Sequence, residues 1–349
     1  MPFTPHPIII LGAGGIVKSG HLPAYRLAGF PVAGLYDLDA AKARALAGEF
    51  AVPRVFPSLA AAVQPDVSPV VFDVAVPVTA LEEILRALPD GSAVLMQKPF
   101  GEDLAQARAL LALCARKRLR AAVNFQLRFA PAVAAARKLI SEGAIGEIAD
   151  MEVRVTVHTP WHLWSFLASA PRIEILYHSI HYVDLMRSFL GEPRGVHAMT
   201  VRHPATPHLA ATRTTMALDY GDMIRATITT NHAHDFGPRH QESYVKWEGT
   251  RGALRLQLGL LLDYPHGGRD VLEICSVGPG NSAREWREVP LDGQWFPHAF
   301  IGTMGSLQRF AGGATDELPT RVEDAFRTMA VVEAAYASST SGATPIPSR

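Results

Sequence analysis

The sequence predicts two domains: an α/β domain on a doubly wound parallel sheet, then an α+β domain on an open mixed or antiparallel sheet. Three observations predict this. The chain has 349 residues, more than one typical hydrophobic core accommodates. Its first third alternates short aliphatic runs with Ala/Leu-rich segments of helical spacing, the rhythm of βαβ units. Beyond about Asn124 strand-like segments follow one another, separated by turn signals. The division is placed between the two styles, with residues 1–123 in the first domain and 124–349 in the second.

In order, "PIIILGAGG", "VAGLYD", "VVFDVAVP", "AVLMQKP" and "RAAVNFQ" read as strands. The segments "LPAYRLAG", "DAAKARALAGEF", "TALEEILRAL" and "DLAQARALLALCARKR" between them read as helices. In the second part a helix, "PAVAAARKLISEGAIG", leads into the alternating strand "EIADMEVRVTVH". A helix "ILYHSIHYVDLMRSFLG" ends at Gly191, a suitable residue just past a helix terminus. Six strand-like segments follow, from "GVHAMTVR" to "VLEICSV", with turns at Asp219 to Asp222 and Gly249 to Gly252. "TRVEDAFRTMAVVEAAYASS" closes the chain as an amphipathic helix, and "SGATPIPSR" reads as a tail.

Composition excludes several classes. Lys+Arg and Asp+Glu each count 33, so no overall field draws the chain to nucleic acid or anionic lipid. Cys114 and Cys275 each lie in an apolar periodic segment, which argues for buried thiols rather than a disulfide. "PIIILGAGGIV" is too short to span a bilayer and lacks the flanks of a signal peptide, so a cytoplasmic protein is expected.

Gly12, Gly14 and Gly15 follow the first strand and precede a helix, so backbone N–H groups can approach a pyrophosphate there. The third glycine of this fingerprint falls at Val17, which implies a looser helix–sheet contact. Asp37 ends the second strand, where a carboxylate accepts from an adenosine ribose and repels a 2′-phosphate; NAD is therefore expected over NADP. Asp39 is a rival that better suits capping the next helix. A glycine-rich turn alone is often only a tight turn; strand, helix and acid at this spacing make it a dinucleotide site. Ile16, Pro77, Gln97, Lys98 and Asn124 complete the residues expected around the dinucleotide.

Lys98 ends an apolar strand at the sheet edge where ligands bind, followed by a proline that cannot continue the ladder. A lysine there can steady a substrate alkoxide, or it is a surface lysine beside a loop. In "EILYHSIHYVDL", helical spacing puts His181 on one face with Tyr177 and His178. Histidine suits removal of a hydroxyl proton, although a histidine on an amphipathic helix is commonly just a polar neighbour. His178 with His181, and His232 with His234, offer paired imidazoles, but no carboxylate or cysteine completes a metal-ligand spacing, so no metal is expected.

These residues resemble the Gfo/Idh/MocA group of NAD(P)-dependent oxidoreductases, named for glucose-fructose oxidoreductase, inositol dehydrogenase and a rhizopine-catabolism protein. The resemblance runs from about Ile8 to Pro345 and rests on "LGAGGIVKSGHLPAY", "VLMQKPFGEDLAQARAL", "RFAPAVAAARKLISEGAIGEI", "SIHYVDLMRSFLG" and "EAAYASSTSG". It implies an N-terminal Rossmann domain and a C-terminal α+β domain whose open sheet supports homodimers or homotetramers. It puts "QKP" in the place of the family's Glu-Lys-Pro motif, with Lys98 between nicotinamide and substrate, and matches His181 to the family's acid/base histidine.

Two positions depart from the pattern. Gln97 replaces the usual glutamate, removing a charge that tunes the lysine, and Tyr177 stands where many members carry an aspartate. The expected catalytic set is Lys98, His181 and Tyr177, acting on a carbinol or carbonyl of a sugar, cyclitol or related polyol. Gln126, Arg128, Trp161, His162 and His178 are expected at the substrate, although "TPWHLW" also reads as a loop packed on its own tryptophans. The rival readings are a dinucleotide-binding sensor without turnover and metal-assisted chemistry at the histidines.

Overall fold

In the computed structural model, five aliphatic runs pair in parallel: β1 (Ile8–Leu11), β2 (Val32–Tyr36), β3 (Val71–Val74), β4 (Ala93–Met96) and β5 (Arg120–Val123). Their order is β2-β1-β3-β4-β5. A single parallel bridge from Leu35 to Val55 adds a rudimentary strand outside β2. Counted in chain order with that bridge, the sheet reads 3-2-1-4-5-6, the dinucleotide-binding order, with the crevice where β1 and β3 diverge. The structure describes residues 4–66, 69–277 and 284–347, so the last two residues of the "SGATPIPSR" tail lie outside the described residues.

The crossovers are α1 (Leu22–Ala28), α2 (Ala40–Phe50), α3 (Leu59–Ala62), α4 (Leu81–Ala87) and α5 (Leu104–Arg116). Local chemistry fixes where three of them begin: Asp39 accepts from the N–H of Ala41 and Lys42, Ser58 from that of Ala61, and Asp103 from that of Gln106. Asp39 is thus a cap, as its position suggested.

The second sheet is built from β6 (Ile148–Thr156), β7 (Gly195–Val201), β8 (Arg213–Asp219), β9 (Arg225–Asn231), β10 (Glu242–Gly249), β11 (Gly252–Gln257), β12 (Val271–Ser276) and β13 (Arg287–Val289). Its order is β13-β12-β11-β10-β6-β9-β8-β7. Only β6 and β9 pair in parallel, so the sheet is mixed. Alternate residues of β8, β9 and β10 are buried, the period expected of a sheet with one covered face. The covering helices are α6 (Pro131–Ser141) and α7 (Ile180–Leu190). The last two helices are α8 (His298–Ala311) and α9 (Val322–Ser341).

The chain divides into two units. One takes the described residues up to Ala130 and Phe296–Met329; the other takes Pro131–Trp295 and the chain from Ala330 onward. In the first unit α8 buries Phe300, Met304 and Leu307 with Ile8, Ile10 and Leu95 of the sheet. The segment before α9 seals the free edge of β5, where Val123 donates to Thr320 at 2.8 Å. Cys114 and Cys275 are buried free thiols, and burial pushes the Cys114 thiol up to about 12. Among the described residues no helix is long and apolar enough to cross a membrane.

Candidate active site

The glycine loop separates two reasons for being glycine. Gly12 has φ +112°, and a Cβ there would lie 2.3 Å from the carbonyl oxygen of Ala75, so the fold itself demands glycine. Gly14 and Gly15 have no such φ, and a Cβ on either meets nothing within 4 Å. Among the described residues nothing fills the space beside their bare backbone, which leaves the loop open to a ligand's close approach. Asp37 closes the loop: its Oδ2 accepts from the Ala13 N–H at 2.6 Å and its Oδ1 from the Asp39 N–H at 2.9 Å. Each carboxylate oxygen keeps a second lone pair for a ribose hydroxyl. The loop therefore fits a dinucleotide. Val17, in the third glycine's place, is fully buried in the first unit's core, and Ile16 packs partly buried against it.

The helix after the loop begins as a π-helical turn, Val17–His21, before continuing as α1. That wider turn carries His21, which sequence reasoning passed over. His21 is wholly buried, with Nδ1 2.6 Å from Asp73 Oδ2 and Nε2 2.6 Å from Gln97 Nε2. Asn124 follows β5, buried, with Nδ2 3.4 Å from the same Nε2. Its Oδ1 and the Oε1 of buried Gln126 have no hydrogen-bond partner among the described residues. Such atoms call for a donor from outside the chain.

Lys98 stands two residues beyond β4, held by the Gln97 N–H to Val74 carbonyl bond at 2.9 Å on one side and fully buried Phe100 on the other. Burial pulls its ammonium down from 10.5 to about 8. Pro77 is exposed three residues beyond β3, at the N-cap position of a short 3₁₀ turn. Arg128 donates to Asp324 Oδ2 at 2.5 Å and to the Pro319 carbonyl at 3.1 Å, which ties its guanidinium into the first unit.

In the second unit the predicted helix is not uniform: Ile175–Ser179 form a π-helical turn and α7 starts at Ile180. Such turns recur at functional sites because they re-aim side chains. His181, second in α7, is 8% exposed. Tyr177 packs its ring 5.7 Å from Phe166, in a small apolar cluster with Leu167, Ile173 and Leu209. His178 lies 5.2 Å, ring to ring, from Trp161 and 4.5 Å from His232. His162 is exposed.

Behind His178 lies a buried polar group that no local sequence pattern assembles. His232 Nδ1 is 2.8 Å from Thr159 Oγ1, and its Nε2 is 3.5 Å from Glu174 Oε1. Burial alone would push the Glu174 carboxyl up, but His232, then Thr214 and Ser179, hold it below the usual carboxylate range. His234 instead faces the Arg239 carbonyl. Among the described residues no three His, Cys, Asp or Glu side chains are placed to share a metal ion.

Comparison with known proteins bears on both units. Residues 7–125 match the oxidoreductase family with an NAD-binding Rossmann fold, and residues 133–255 match the GFO/IDH/MocA C-terminal domain. The chain is 27% identical over 344 residues to a D-apiose dehydrogenase of Paraburkholderia graminis, covering 95% of this chain and 87% of that protein. It is 29% identical over 192 residues to an inositol 2-dehydrogenase of Rhizobium meliloti, covering 52% and 54% of the two. An Agrobacterium radiobacter oxidoreductase solved with NAD+, L-tartaric acid and magnesium shares the fold, with a TM-score of 0.79 over 97% of each chain at 21% identity.

Proposed function

Because this chain belongs to the Gfo/Idh/MocA family of oxidoreductases, whose first domain is an NAD-binding Rossmann fold, we propose that it oxidises a secondary carbinol, or reduces the matching carbonyl, on a sugar, cyclitol or related polyol. The observation that carries this reading is Lys98: an ammonium weakened by burial, at the C-terminal edge of the dinucleotide-binding sheet. The D-apiose and inositol dehydrogenases among its relatives support the substrate class.

NAD supplies the chemistry of hydride acceptance and donation at its nicotinamide ring. The loop glycines, Ile16, Asp37, Pro77, Gln97 and Asn124 hold the dinucleotide. His181 removes the hydroxyl proton and Lys98 steadies the oxygen as charge develops on it. Tyr177 assists the proton path; Tyr177→Phe with undiminished turnover would remove it. Trp161 and His178 offer an aromatic face and a polar edge to a sugar ring, with Gln126, Arg128 and His162 as further polar contacts. The open sheet face, which carries Tyr244, Lys246, Arg255 and half-exposed Trp286 around a shallow depression, is the surface through which copies associate as a homodimer or homotetramer. The protein works in the cytoplasm.

A cofactor-by-substrate screen tests the reading: NAD+ and NADP+ against aldoses including D-apiose, inositols and sugar acids, with Lys98→Ala as control. Turnover of at least one polyol with NAD+, abolished in Lys98→Ala, is expected. Tight NAD+ binding with no turnover across the panel would replace the enzyme by a dinucleotide sensor.

A further inference from the structure

Asp73 breaks the pattern of its strand. It is the third of four residues of β3, in register with Ile10 and Leu95, and wholly buried. Inner strands of a parallel sheet are ordinarily aliphatic, and an uncompensated carboxylate there costs several kcal/mol. Its compensation falls on one oxygen, Oδ2, while Oδ1 has no hydrogen-bond partner among the described residues. Oδ2 accepts from His21 Nδ1–H at 2.6 Å and from the Tyr25 hydroxyl at 2.7 Å. With Nδ1–H committed to the carboxylate, His21 presents Nε2 as an acceptor, and the Gln97 amide N–H donates to it at 2.6 Å. Phe300 covers the imidazole at 4.9 Å, in space that a side chain on Gly20 would occupy.

Asp73, His21 and Gln97 therefore form one chain of hydrogen bonds that ends at the residue before Lys98. The Glu-Lys-Pro motif carries a carboxylate at position 97; this chain carries an amide there and a carboxylate on the far nitrogen of the imidazole that residue 97 touches. We propose that Asp73, acting through His21, is a positioning residue that takes over the role of the motif's missing glutamate and holds the Gln97-Lys98-Pro99 turn. The choice of glutamine follows. A glutamate at 97 would set carboxylate lone pairs against the Nε2 lone pair unless the ring gained a proton and a second anion beside it. A glutamine there can donate.

This rests on Lys98 acting in turnover, and the test separates the two. Asp73→Asn leaves the imidazole without an anion, and Gln97→Glu gives it two. Each should lower kcat about tenfold or more with KM for NAD+ little changed. The double variant Asp73→Asn/Gln97→Glu returns a single carboxylate to the ring, now at position 97, and should recover most of the loss. Losses that multiply in the double variant, or an unchanged kcat in Asp73→Asn, would overturn the assignment. Thermal melts of the same four full-length proteins without substrate should show the same rescue. If even the wild type turns over no polyol, the reading of function fails and the melts decide the pairing: rescue upholds it, additivity ends it. Should Asp73→Asn not fold, Tyr25→Phe removes one donor from the carboxylate and leaves the strand intact. A severalfold drop in kcat at constant KM is then expected, and an unchanged kcat counts against the proposal.

Discussion

Lys98 is costly to the fold in the form that its proposed role requires. Its folded value of about 8 lies below the 10.5 of an exposed lysine, so the charged side chain destabilises the native state. That cost is fully present below about pH 8 and fades as pH rises toward the unfolded value. Lys98→Met should therefore abolish turnover yet raise stability at pH 7 by about 1–3 kcal/mol, a few degrees in Tm, with the gain shrinking as pH rises above about 8. Calorimetry across pH checks both signs. In the wild type, kcat/KM should fall as pH passes about 8 and the ammonium discharges. Asp37 makes a second prediction at this scale. Its carboxylate accepts two backbone N–H bonds. Asp37→Ser should narrow the ratio of kcat/KM for NAD+ over NADP+ about tenfold or more, because the repulsion of a 2′-phosphate is gone.

At the scale of elements, the glycine loop and α8 show bare backbone serving different ends. Gly12→Ala should lower Tm, since its Cβ meets the Ala75 carbonyl at 2.3 Å. Gly14→Val should leave Tm within about a degree and weaken NAD+ binding at least tenfold, because its side chain projects only into open space. Melting curves and NADH fluorescence titrations separate the two. The sequence reading recovered the strands of both sheets down to β12, because alternation and aliphatic runs are local signals. It gave no sign of α8, which carries Gly302 and Gly305 in its middle and so reads as poor helix. Gly302 is there for packing: a Cβ would lie 2.5 Å from Phe129. The π turn at Ile175–Ser179 was equally illegible, since composition does not distinguish it from an α-helix.

At the scale of the whole chain, Phe296–Met329 belongs to the unit begun by the N-terminal residues, although the second sheet intervenes in sequence. This return supplies Phe300 to the cover of His21 and Leu318 to the first core. Deleting the chain from residue 296 onward should therefore expose the edge of β5 and leave the first unit aggregating rather than folded, as light scattering would show. The proposed association of copies through the second sheet's open face is tested at its rim, beside the surface pairs of Arg154 with Glu242 and Arg225 with Asp150. Trp286→Asp should shift the mass measured by light scattering toward the monomer.

By itself the sequence determined the plan of an α/β fold on a parallel sheet followed by an α+β fold on a mixed sheet, the glycine loop with Asp37, the cap at Asp39 and the candidates Lys98 and His181. Each is written in local periodicity, in a short spacing or in a motif with a fixed chemical purpose. Tertiary structure alone decided that Asp73, His21 and Gln97 join across 76 residues of chain, that Glu174 and His232 meet in the interior, and that Arg128 is tied to Asp324. Buried polar groups are matched by partners brought from distant strands and helices, and no local pattern records which donor will meet which acceptor.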